Sequence, residues 1–123
     1  MEGFEDIMYD LTDFEKDKCM PVLLGELPKH KGKENAIKNK DIRFLFDSMG
    51  LTVSEARVRK LISYIRIRNM VNGLIATSAG YYISNDPAEV TRYMKSLSGR
   101  EKAISAIRSN TLNYLETLLT HAA

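Results

Sequence analysis

Three features of this sequence predict a mainly α-helical fold with one small β-hairpin. Residues 40–68 hold two amphipathic helix patterns separated by a tight turn. Two short β-rich runs, Leu74-Ile75-Ala76-Thr77 and Tyr81-Tyr82-Ile83, follow around a small connection. From Asp86 to about Thr120 apolar residues then recur with a helical period, and little interrupts a helix there.

In chain order, Phe4, Ile7, Met8, Leu11 and Phe14 are spaced like one face of a helix. Thr12 followed by Glu15 also resembles a capping box, which places a helix start there instead. Pro21 suits the first turn of a short helix containing Val22, Leu23, Leu24 and Leu27, and Pro28 breaks the chain. Lys29-His30-Lys31-Gly32-Lys33 reads as a basic loop too polar to bury.

The next helix carries Ile42, Leu45, Phe46 and Met49 as an inward stripe. Gly50 follows as a C′ residue, where positive φ costs glycine little. Leu51 packs back, and Ser54 caps the second helix, predicted over residues 54–69. That helix turns Val58, Leu61, Ile62 and Ile65 inward. Its opposite face centres on Ala56, Lys60, Ser63 and Ile67, with Arg59 and Tyr64 beside them and Arg57, Arg66 and Arg68 at the sides. Asn69 is placed to end the helix in the left-handed conformation, and Asn72-Gly73 is a turn signal. A three-residue loop, Ser78-Ala79-Gly80, is expected to join the two strands, with either Tyr81 or Tyr82 in the core.

A helix, a turn, a second cation-bearing helix and a hairpin make up a winged helix-turn-helix, which lays its second helix in a DNA major groove. Arg59, Lys60 and Ser63 are then candidates for base edges, and Arg43, Arg57, Arg66 and Arg68 for phosphates. Thr52, Ser54 and Tyr64 complete the candidate DNA-contact set. The hairpin tip, Thr77-Ser78-Ala79, is uncharged, so a DNA role for it is left open.

The net charge of +2 hides a segregation. Residues 1–28 hold two Lys against eight acids, a net −6. Residues 29–68 hold eleven Lys or Arg against four acids, a net +7, and residues 69–123 carry +1. A cationic middle beside an acidic arm fits a nucleic-acid surface, and the arm is able to compete with DNA for it. The alternative is a solvated basic face.

Asp86-Pro87-Ala88-Glu89 marks a firm helix start, and Ser98-Gly99 is the one place where that helix is open to a kink or split. Its apolar residues, among them Leu112, Leu115, Leu118 and Leu119, call for cover. That cover is either self-association or folding back onto the rest of the chain. The expected organisation is an acidic arm with short helices (1–28), the helix-turn-helix and hairpin (29–85) and a C-terminal helical extension (86–123).

No catalytic pattern is present. The glycines are scattered rather than gathered in a phosphate loop, His30 and His121 lack metal-ligand spacing, and Cys19 has no nearby base. No enzyme activity, metal or cofactor is expected. A single cysteine, an acidic N-terminus and no long apolar run point to a cytoplasmic protein without a membrane span.

From about Lys38 to Ile83 the chain resembles the winged helix-turn-helix domain at the N-terminus of biotin operon repressors. The likeness rests on Asp41-Ile42, Met49-Gly50-Leu51, Ser54, the run Val58-Arg59-Lys60-Leu61-Ile62-Ser63-Tyr64-Ile65-Arg66, and Gly80-Tyr81-Tyr82-Ile83. The whole chain is also similar to small winged-helix proteins encoded by bacteriophages and prophages. These share a Leu-Pro like Leu27-Pro28, a loop like Lys33-Glu34-Asn35-Ala36-Ile37, a Gly-Tyr-Tyr wing end and a helical tail. The resemblance implies a double-stranded DNA-binding protein of a bacterial host cell, serving phage gene control, replication or recombination. With an uncharged wing and no ligand domain, biotin-related activity is not implied. The expected partners are DNA, a second copy through residues 86–123 as a homodimer or higher oligomer, and other phage or host proteins. The alternative function is a winged-helix protein–protein interaction module.

Overall fold

A computed structural model describes residues 11–122. The Phe4, Ile7 and Met8 part of the N-terminal stripe lies outside those residues. The chain divides into two compact units, residues 1–85 and residues 86–123.

The first unit opens on the Thr12 capping box. The Thr12 N–H donates to a Glu15 carboxylate oxygen at 2.9 Å, and the Glu15 N–H donates to the Thr12 hydroxyl at 3.1 Å. A π-helical stretch, Glu15–Cys19, runs directly into helix α1 (Met20–Glu26), whose first turn holds Pro21. A 3₁₀ turn, Leu27–Lys29, ends it, and a second, Lys33–Asn35, interrupts the following loop. Then come α2 (Asn39–Ser48), α3 (Glu55–Ile67), and strands β1 (Leu74–Thr77) and β2 (Gly80–Ile83).

Both α2 and α3 stop on the same device. The Gly50 N–H donates to the Asp47 carbonyl and the Leu51 N–H to that of Phe46, with Gly50 at φ 74°. At the end of α3, Asn69 (φ 50°) and Met70 make the same pair of bonds to the Arg66 and Ile65 carbonyls. Because α2 ends at Ser48, Met49 is not part of the inward stripe: it sits at the C-cap and is 54% exposed. Leu51, beyond the turn, packs against the core in its place.

One cluster forms that core. Leu11, Cys19, Leu23 and Leu27 from the N-terminal segment meet Ile42 and Phe46 of α2 and Val58, Leu61, Ile62 and Ile65 of α3. Residues 11–28 are therefore part of the same packed unit as the two central helices. Each fully buried aliphatic side chain contributes roughly 1.5–3 kcal/mol of transfer free energy.

The strands pair antiparallel with Thr77 opposite Gly80, so the connecting loop is the two residues Ser78-Ala79 rather than three. Gly80 opens β2 instead of closing the loop. Its φ is 119°, and a Cβ at this position would lie only 2.5 Å from the Ile37 carbonyl oxygen, so the site has room for glycine alone. Tyr82 is buried and Tyr81 is half-buried. The far edge of β2 is also bonded. Ile37 and Tyr81 exchange both backbone hydrogen bonds, Ile83 donates to the His30 carbonyl, and Gly32 donates to that of Ile83. The basic loop thus serves as a third, irregular partner of the hairpin while the Lys29, Lys31 and Lys33 side chains stay exposed.

The second unit is one helix, α4 (Pro87–Ala122), 36 residues long and about 54 Å at 1.5 Å per residue. Asp86 caps it by accepting the Ala88 N–H at 3.0 Å. The helix continues through Ser98-Gly99, so no split occurs there. The chain is thus mainly helical with one small antiparallel hairpin, and among the described residues no helix is long and apolar enough to cross a membrane.

Candidate nucleic-acid interface

Helix α3 is set in place from its start. The Ser54 hydroxyl accepts the Arg57 N–H at 3.2 Å, closing the first turn. Its buried stripe then fixes which residues face outward. Arg59 and Ala56 are exposed, Lys60 and Ser63 are half-buried, and Ile67 is 38% exposed.

Glu15 reaches the same turn from the N-terminal segment. Its carboxylate is nearly fully buried and accepts from the Arg57 guanidinium at both oxygens, with Arg57 Nε at 2.7 Å from Oε2 and Nη2 on Oε1. The Arg57 hydrogen bond outweighs desolvation and holds the Glu15 carboxyl below the usual carboxylate range. The structure therefore places Arg57, expected as a phosphate contact, in a bidentate ion pair within the fold. Beside it the Cys19 thiol is pushed up, first by burial and then by the Glu15 charge, which makes it a poor nucleophile.

The remaining candidates divide by exposure. Arg59 reaches back one turn to Glu55 at 2.7 Å, both side chains more than half exposed. A pair of that kind is worth only about 0.3–0.5 kcal/mol and exchanges readily for another anion. Arg68, at the C-cap, lies over the Tyr64 ring, 4.9 Å from its centroid, so the ring and the helix C-terminus both hold the cation near the helix end. Tyr64 itself is half-buried against the core. Arg66 is exposed, as are Arg43 on α2 and Thr52 in the turn between the helices.

Phe44 belongs beside these residues, although neither composition nor charge singles it out. It is 77% exposed on α2, next to Arg43. The helical period carries the signal, because Phe44 lies opposite the Ile42–Phe46 face.

In the loop before α2, His30 bridges two acceptors. Nε2 lies 2.7 Å from a Glu26 carboxylate oxygen and Nδ1 lies 2.7 Å from the Asn35 carbonyl. That clasp ties the end of α1 to the loop bonded to β2. Among the described residues no group of three or more His, Cys, Asp or Glu is gathered to hold a metal ion.

The chain matches no protein-family model, no curated protein and no solved structure.

Proposed function

We propose that residues 29–85 form a winged helix-turn-helix that binds double-stranded DNA, with α3 in the major groove and β1–β2 as the wing. The observation that carries this reading is the division of α3. Four apolar residues anchor it in the core, while Arg59, Lys60 and Ser63 lie on the face away from that stripe and Arg66 and Arg68 at its end and side. In this reading Arg59, Lys60 and Ser63 meet base edges, and Arg43, Arg66 and Arg68 meet phosphates. Arg57 acts instead by fixing the helix start through Glu15. A role in phage gene control, replication or recombination fits the family resemblance.

Fluorescence anisotropy on duplex DNA at two salt concentrations tests the proposal. Affinity should fall steeply as salt rises, because each phosphate neutralised releases counterions. No binding at low salt to random or genomic fragments would favour a second reading, a protein–protein interaction module. The exposed Phe44 and the uncharged hairpin tip support that alternative.

A further inference from the structure

Helix α4 carries an apolar stripe that runs along its axis. At 100° per residue, Val90, Met94, Leu97, Leu112, Leu115 and Leu119 all fall within about 30° of one line, with Ile104 about 50° from it. The six are 37% to 63% exposed. A single helix cannot cover its own stripe.

Two charges interrupt the line, Glu101 and Arg108, each within about 10° of its centre. Neither has an opposite charge three or four residues away on its own helix. Along the face, Glu101 neighbours Leu97 and Ile104, and Arg108 neighbours Ile104 and Leu112.

The stripe is also nearly a palindrome about the point between Ile104 and Ser105. Val90 mirrors Leu119, Met94 mirrors Leu115, Leu97 mirrors Leu112, and Glu101 mirrors Arg108. In these four pairs apolar residues map onto apolar ones and the acid maps onto the base; at the centre Ile104 meets Ser105. A surface that matches itself after reversal is what an isologous two-fold contact requires.

We propose that this stripe is a homotypic docking surface: two copies of the chain pair antiparallel through α4, about a two-fold axis level with Ile104 and Ser105, with Glu101 of each facing Arg108 of the other. Charge complementarity selects both partner and direction. A parallel, in-register pair stacks Glu101 on Glu101 and Arg108 on Arg108 in a desolvated seam, where like charges repel strongly. The antiparallel pair converts the same four groups into two ion pairs. It also sends the two starts of α4 to opposite ends of the assembly, about 50 Å apart at 1.5 Å per residue.

The inference rests on the pattern of α4 and not on any DNA contact, so its test reads assembly rather than binding. Sedimentation equilibrium of the full chain at tens of micromolar should give a dimer. Glu101→Arg and Arg108→Glu should each weaken the dimer about tenfold or more, since each creates two like-charge contacts, and the double variant should recover it. Circular dichroism confirms that each variant keeps its helix. Direction is read by oxidation of Leu97→Cys and Leu112→Cys chains. Disulfide dimers should form when the two variants are mixed and not with either alone; buried Cys19 in the unaltered chain is the control. A monomeric unaltered chain, a double variant no better than the singles, or self-linking of each cysteine variant alone would each overturn the proposal.

Discussion

Helix α3 holds Val58, Leu61, Ile62 and Ile65 at 1% exposure or less, whereas Leu97, Leu112, Leu115 and Leu119 of α4 stay 37% to 63% exposed. Both stripes have the spacing of an amphipathic helix, so spacing alone does not tell what covers a face. The content of the stripe does. That of α3 is purely apolar and meets α1 and α2 in one core. That of α4 carries an acid and a base on its centre line, groups that would require a charged counterpart if the stripe were covered.

The sharpest way to break this contrast is to truncate both helices. Ile62→Ala should cost about 2–5 kcal/mol in urea unfolding of the first unit, because it leaves a cavity in a closed core. Leu115→Ala should change that unfolding by no more than about 0.5 kcal/mol in dilute solution. Equal losses would mean that the α4 stripe shares the core's cover.

Next in size is the ion pair at the start of α3. Arg57→Ala should cost about 3 kcal/mol, because it strands the buried Glu15 carboxylate; the figure is at the low end for a buried pair since Arg57 is 32% exposed. The pH dependence follows from the lowered Glu15 carboxyl. Stability from the pair is fully present above the ordinary Glu value of about 4.3 and is lost as pH falls through the lower folded value. Unfolding measured between neutral and strongly acidic pH should show that loss in the unaltered chain and a flatter profile in Glu15→Gln. Helix α4 holds neither member of this pair, and its helix content should not follow this transition.

Gly80→Ala sharpens the hairpin's place in the first unit. The added Cβ meets the Ile37 carbonyl, and φ is unfavourable for alanine, so a loss of about 1–3 kcal/mol is expected by thermal unfolding. An unchanged melting temperature would show that the 30–37 segment yields without cost.

Effects on DNA binding separate two kinds of contact on α3. Lys60→Ala should lose about 1–3 kcal/mol on a preferred DNA site and relax discrimination between sites. Arg68→Ala should weaken all sequences alike and lower the salt slope by roughly one. Anisotropy titrations across sites and salts distinguish them, and sequence-blind losses for both would remove Lys60 from base reading.

Local chemistry makes much of this fold legible in the sequence. The stripe of α3, the left-handed Gly50 and Asn69, the Thr12–Glu15 capping box and the Asp86 helix start each depend on residues within about a turn of one another. What stays hidden is non-local. Nothing near Glu15 says that its partner is Arg57, and the 30–37 segment has no strand pattern although its two ends bond to β2. The hairpin loop is one residue shorter than the sequence suggests, because positive φ fits both a loop end and a strand start. Of the candidate interface, the outward face of α3 and the outward place of Phe44 on α2 both follow from helical period, whereas the diversion of Arg57 emerges only in the packed structure.

That division by sequence distance also sets an order of events. The Glu15–Arg57 pair and the hydrogen bond from the Tyr81 hydroxyl to Asn39 each span 42 residues. Closing a loop of that length costs about 3 kcal/mol of chain entropy before any contact rewards it. Turns of α4 and the β1–β2 hairpin close locally, on microsecond or shorter times. Of the two units, the one synthesised second is therefore among the first able to take its secondary structure. The first unit becomes whole only when its distant closures are made, among them the ion pair at the start of α3 and the bonds from the 30–37 segment to β2.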